Sequence, residues 1–377
     1  LDNWVCDGKI VAACFDWSIH WKRGEFDVSQ APNLIILLAD CQLTKLDVSN
    51  NPELRELYII ENELTELDVS NNPKLTHLEV DCNELIKLDV SNNLELTNIG
   101  VSCNQLTELD VSYNPKLDGL RIWDNQLTEL DVSNNLELTE LTASDNCLTE
   151  LDVSNNPELT NLDVGTNKLT KLDVSNNPKL SDLHVSDNQL TKLDVSNNSE
   201  LSELYVDSNL MTALDMSNNP ELTTLWAHQS QLTELDVSSN PKLTKLKISG
   251  HWTNRNQLTE LRFSTDPELT VLSIHSDCLT ELDVSNNPEL TSLNVSTNKL
   301  TELNVSNNPK LSCLQVHKNT LAELDVSHNP KLTKMMVCSY QLTELRFSTE
   351  MDLENLPDIE IPSDLKFDKV KGYFTNG

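Results

Sequence analysis

Between Leu43 and Gln257 the chain repeats one 21-residue phrase, L-T-x-L-D-V-S-x-N-P-x-L-x-x-L-x-V-x-x-N-x, seen in full from Leu169 to Gln189. Leu46, Leu67, Leu88, Leu109, Leu130, Leu151, Leu172, Leu193, Leu214 and Leu235 fill one slot at a constant step of 21. The step from Leu235 to Leu261 is 26, and 21 then resumes through Leu282, Leu303, Leu324 and Leu345. With Phe26 opening a coil one residue short, this makes sixteen units. A period of this size predicts a solenoid, in which each unit buries its apolar side only against its neighbours.

Inside each unit the pattern L-x-x-L-x-V-x-x-N occurs twice, as Leu169, Leu172, Val174, Asn177 and again as Leu180, Leu183, Val185, Asn188. Such a unit has no room for a helix, and the alternation in L-D-V-S and L-H-V-S is the two-residue period of a strand with one buried face. The expected fold is therefore a β-rich solenoid of about sixteen coils forming two narrow parallel sheets, with no long helices. Two asparagine ladders, one through Asn51, Asn72 and Asn93 and one through Asn62, Asn83 and Asn104, should satisfy the backbone groups of the corners, since an amide supplies both donor and acceptor. Residues 1–25, with Trp4, Trp17 and Trp21, are read as an N-terminal cap, 26–349 as the solenoid with one insertion near 250–256, and 350–377 as a C-terminal cap or the start of a following segment.

The doubled phrase resembles the leucine-rich repeat family, and at this short nested period it looks like the internalin-like bacterial surface proteins. The resemblance implies a secreted or surface-anchored bacterial protein that recognises a macromolecule, and the motifs of the chain give no support for catalysis. The chain departs from members with a cysteine ladder, because no fixed core slot of successive repeats carries cysteine.

A net charge of -33 opposes nucleic acid and anionic membranes, whose phosphates it would repel. No apolar run reaches membrane-spanning length, and the start at Leu1 predicts a processed or trimmed N-terminus. The expected partner is a protein or a glycan. Self-association into filaments or surface layers is the alternative from a different class. None of the eight histidines sits in a nucleophile motif, and no phosphate loop or H-E-x-x-H is present. Asn197, Asn294 and Asn304 match the glycosylation sequon, the last two simply by exchanging the Asp of the repeat for Asn.

The two halves of the repeat differ in a way that points to a site. L-D-V-S-N-N barely changes, whereas the outward slots of the second half vary freely. Aromatic residues make up 5% of the chain, yet Tyr205, Trp226 and His228 fall on neighbouring coils of this one face, just before the insertion that holds Trp252 and Arg255. Tyr, Trp and Arg present large rigid area with a polar handle. The candidate partner-binding residues are Tyr205, Trp226, His228, Lys247, Trp252 and Arg255, with Arg121 and Trp123 as a second candidate. On the uniform face a row of aspartates suggests weak Ca2+ capture, with Asp152, Asp173 and Asp194 as ligands, since calcium takes several oxygens; no other cofactor is expected. Nine cysteines leave at least one unpaired within the chain. Cys6 with Cys14, and Cys82 with Cys103 at a spacing of 21, are the disulfide candidates.

Overall fold

Each repeat closes one turn of a parallel β-solenoid, and the molecule has about fifteen such turns. The computed structural model describes the backbone of residues 4–6, 9–15, 25–40, 42–249, 256–265, 267–337, 341–347, 358–360, 366–368 and 373–375, and the side chains of 26–39, 42–249, 256–265, 267–337 and 341–347. Among them there is no helix. The chain forms two units, Leu1–Gln189 and Leu190–Gly377.

The second half of every repeat supplies the main ladder, in strict register. In the first unit Ile36–Asp40, Glu56–Tyr58, His77–Glu79, Asn98–Gly100, Gly119–Arg121, Glu140–Thr142, Asn161–Asp163 and Asp182–His184 pair in parallel, each with the next. Lys9–Phe15 adds a parallel strand at one end and Trp4–Cys6 an antiparallel one. In the second unit Glu203–Tyr205, Thr224–Trp226, Lys245–Ile248, Val271–Ile274, Ser292–Asn294, Cys313–Gln315, Lys334–Met336 and Asp358–Glu360 do the same. The 26-residue step is absorbed outside both ladders, because Leu246 still faces Leu272 and Leu235 still faces Leu261.

The expected second sheet exists only in pieces. L-D-V strands pair as Glu25–Asp27 with Lys45–Asp47, Glu234–Val237 with Glu260–Phe263, and Glu323–Val326 with Glu344–Phe347. In the last two pairs an arginine replaces the aspartate on one strand, so Asp236 faces Arg262 and Asp325 faces Arg346. Charge does not account for the whole pattern, because Asp27 faces Asp47 in the first pair.

The core follows the sequence pattern. Val69, Leu78, Val80, Val90, Leu120 and Leu141 are fully buried, and the L-D-V leucines nearly so, with Leu109 at 7% and Leu151 at 8%. The two asparagine ladders differ in what they satisfy. In the second, Asn125 accepts from the Leu106 N–H at 3.0 Å and donates to Val101 O at 2.9 Å and Ile122 O at 3.2 Å. In the first, Asn72 donates to Val48 O and Asn51 O, but its Oδ1 is buried without a partner among the described residues. The nearby Leu75 N–H bonds instead to the main-chain oxygen of Asn72, leaving the side-chain oxygen nothing to accept.

The residue before each second-ladder asparagine adopts left-handed backbone, with φ from 50° to 57° at Glu61, Cys82, Cys103, Asp124, Asp145, Thr166 and Asp187 in the first unit. For a β-branched residue this conformation is strained by about 1 kcal/mol or more. Thr166 is exposed, so Thr166→Asn relieves the strain without disturbing packing. It is expected to raise stability by about 0.5–1 kcal/mol in a denaturant titration.

Candidate functional site

The variable face is built by strand alternation: Leu225 and Ala227 point into the core and leave Trp226 outward. Parallel register then sets Tyr205 beside Trp226 and Trp226 beside Lys247. The Tyr205 and Trp226 rings meet edge to face, with centroids 5.0 Å apart at 72°. The Lys247 ammonium lies over the Trp226 ring at 4.1 Å, and the His228 ring stands 6.0 Å away at 57°. Tyr205 donates its hydroxyl to Glu203 at 2.6 Å. The Trp226 indole N–H is buried and has no hydrogen-bond partner among the described residues.

His228 is fixed on two sides. Its backbone N–H donates to Asp207 Oδ1 at 2.5 Å, and its Nδ1 accepts from the Ser249 N–H at 2.8 Å. Burial pushes the imidazolium pKa down, more strongly than the Asp207 charge pushes it up. The ring is thus biased toward its neutral form, with Nδ1 also within hydrogen-bond distance of the Ser249 carbonyl and hydroxyl. Edge contacts of this kind add about 0.5–1.5 kcal/mol beyond burial, and a cation on an indole face about 0.5–1 kcal/mol. The result is a pinned cluster whose side chains lose little freedom when a partner arrives.

Of the six partner-binding residues expected from sequence, Tyr205, Trp226, His228 and Lys247 thus come together, while Trp252 and Arg255 lie outside the described residues. At the second candidate, Arg121 Nη2 reaches across Gly100 to Glu79 Oε1 at 2.5 Å. A Cβ on Gly100 would stand 3.2 Å from Asp81 Oδ2 and 3.4 Å from Glu79 Cγ, so glycine keeps this crossing open. Arg121 is committed to its own surface, and Trp123 is 40% exposed. Burial raises the Asp81 pKa, against the Ser102 N–H that its carboxylate accepts at 2.6 Å.

The aspartate row has a local task. Asp152, Asp173 and Asp194 each accept the backbone N–H two residues on, from Ser154 at 2.9 Å, Ser175 at 2.9 Å and Ser196 at 3.0 Å. At Asp152 and Asp194 the serine hydroxyl bonds the carboxylate as well and, before the N–H, is the main cause of a lowered pKa. This turn explains why Asp and Ser stay constant together. In the first unit the row walls an open groove of about 1540 Å³ with Glu108, Glu129 and Glu150.

Two axial features went unread in the sequence although their period is the same 21. Thr76, Thr97 and Thr160 donate their hydroxyls to the carbonyl of the preceding coil. Glu53 pairs with Lys74 at 2.6 Å, Glu95 with Lys116 at 2.5 Å, and Glu158 with Lys179. Exposed pairs of this sort are worth about 0–1 kcal/mol each, so their effect is on stacking register more than on stability. Cys82 and Cys103 stand as free thiols on adjacent coils. The side chains of Cys6 and Cys14 lie outside the described residues.

No protein-family model matches the chain, and no curated protein sequence does. Among solved structures, the functional domain of InlJ from Listeria monocytogenes, which includes a cysteine ladder, is similar with a TM-score of 0.69 and 36% identity, covering 85% of this chain and 65% of that one. The chain therefore spans less than two thirds of that domain. YopM, a leucine-rich effector protein from Yersinia pestis, gives a TM-score of 0.66 at 26% identity over 82% of this chain and 84% of its own. The internalin InlF from Listeria monocytogenes shares the fold at 20% identity and a TM-score of 0.66, over 83% of this chain and 88% of its own. Repeat phrase, strand register and structural neighbours agree that the chain is a leucine-rich repeat β-solenoid of the short nested type, similar to bacterial leucine-rich repeat proteins such as InlJ.

Proposed function

We propose that the chain is a non-catalytic recognition module that binds a protein through the variable sheet face of its second unit, centred on Trp226. The observation that carries this reading is the pinned stack of Tyr205, Trp226 and Lys247 on three adjacent strands. The same stack argues against a glycan. A sugar ring docks on an open indole face, and here Lys247 covers one face while Tyr205 abuts the ring. A protein partner instead meets an ammonium, a phenol and the rim of an indole at fixed positions, and Trp and Tyr are residues that binding centres favour. A secreted or bacterial-surface setting fits the similarity to the Listeria proteins and the strong negative charge. No helix among the described residues is long and apolar enough to cross a membrane.

The test is an array of cell-surface proteins and glycans probed with the intact chain, Trp226→Ala and Trp123→Ala. Protein binders of the native chain should lose about tenfold or more in affinity with Trp226→Ala, the cost of one central aromatic anchor, and keep their affinity with Trp123→Ala. Binders indifferent to Trp226, or glycans alone among the hits, would overturn the reading. Assembly of copies is the other reading. Leu94, Tyr113 and Leu136, exposed along one edge of the first unit, favour it, and light scattering on the same preparation decides between the two.

A further inference from the structure

We infer that Cys82 and Cys103 form a covalent modification site: exposed to a low-molecular-weight disulfide, the two thiols join and staple two adjacent coils.

The geometry rests on the repeat. Both residues occupy the left-handed corner slot, with φ of 54° and 50°, so their Cα–Cβ bonds are near-parallel copies one coil apart. The backbone is tied at the same place, the Cys82 N–H donating to Ser102 O at 2.8 Å. Adjacent strands in a sheet lie about 4.8 Å apart, which falls within the Cα separation a disulfide spans, about 4.4–6.8 Å. The Cβ atoms of such copies stand slightly wider than the usual 3.8 Å or so, and closure draws the corners together. Half-exposed corners can give in this way, and the residual mismatch keeps the bond easy to reduce.

Packing does not require cysteine at these positions. The same slot holds Glu61, Asp124, Asp145, Thr166 and Asp187 in the other coils of the first unit. The two thiols already interact: burial first, then the hydrogen bond with Cys82, and lastly the Asp124 carboxylate, push the Cys103 thiol up to about 12. Whichever thiol enters, its neighbour one coil away is in place to resolve the adduct.

In the first step the Sγ of one cysteine, as thiolate, attacks one sulfur of the small disulfide, forming a mixed disulfide and expelling one small thiolate. In the second, the Sγ of the other cysteine loses its proton to solvent, attacks the cysteine sulfur of that mixed disulfide and expels the other small thiolate. Two protein thiols are oxidised by two electrons and the reagent is reduced by the same two.

Trypsin separates the two cysteines at Lys87, so the cross-link is read directly. Native protein is incubated with oxidised glutathione, alkylated, digested without reductant and weighed. The expected product joins Leu75–Lys87 to Leu88–Lys116 and is released by reductant, and cross-linked protein should melt about 2–4 °C higher than reduced protein. Cys103→Ser and Cys82→Ser should each stop at a glutathione adduct on the cysteine that remains. Separate adducts on both cysteines of the native protein, or a linked product only after denaturation, would overturn the inference.

Discussion

Asn125→Ala is expected to destabilise the first unit by about 3–4 kcal/mol, while Asn72→Ala, in the other ladder, should remove about 2 kcal/mol. Each figure follows from the backbone groups left behind. Without the Asn125 amide the buried Leu106 N–H loses its acceptor, and Val101 O and Ile122 O lose a donor. Without the Asn72 amide only Val48 O and Asn51 O lose a donor, and one orphaned side-chain oxygen disappears with it. Val101 O and Ile122 O keep the Asn104 and Asn146 amides, and Val48 O and Asn51 O keep the Asn51 and Leu54 N–H groups, so the Leu106 N–H is the group left orphaned, at about 1–3 kcal/mol, and it sets the two ladders apart. Because each coil touches only its neighbours, Asn125→Ala should also broaden the denaturant transition. Equal losses for the two variants in guanidinium titrations would show that the corner hydrogen bonds are not what separates the ladders.

The second large effect is on acidification: the melting temperature should rise as pH falls from 7, peak at about pH 4–5, and drop steeply below that. Two charge effects of opposite sign set this course. At pH 7 the net charge of -33 strains the folded chain, and protonating carboxylates relieves it. Against this, Asp68, Asp89, Asp131, Asp152 and Asp236 are held below their ordinary 3.8 by the hydroxyl and then the N–H of the serine two residues on. A carboxylate with a lowered folded pKa contributes stability that is present above 3.8 and lost as pH falls through the folded value, because the unfolded chain takes up its protons first. Asp81, raised by burial, acts in the other sense but is a single residue against a row. Calorimetric scans from pH 7 to 2 check the course. Added salt should raise the midpoint at pH 7 and do little at pH 3. A melting temperature that climbs all the way to pH 2 would mean that the Asp–Ser turns contribute nothing measurable.

The sequence revealed most where one residue type recurred. Leucine and asparagine at a step of 21 gave the coil, its register and both ladders. Tyr205, Trp226 and Lys247 could be placed together because parallel register converts a sequence offset into adjacency. The patchy second sheet was harder to see, since the L-D-V phrase is nearly the same in coils that pair there and in coils that do not. The left-handed corner was hidden for another reason: Glu61, Cys82 and Thr166 share no chemistry, only the asparagine that follows. Arg121 misled because its partner, Glu79, lies two coils away, beyond a glycine whose role is to be small. The Glu–Lys pairs were present in plain view at the repeat period, and comparing like slots for sign as well as for type would have found them.

Strand register continues undisturbed past residues 250–255, with Leu246 on Leu272 and Leu235 on Leu261. Extra length between two paired strands therefore does not propagate. A gene encoding such a chain can gain or lose whole coils by recombination between near-identical segments, and lengthen a connection by small insertions, with the change confined to the place where it occurs. Repeat number and connection length become two independent variables, one setting how much surface is offered and the other what that surface displays, and lineages could diversify along either without first solving the folding problem again.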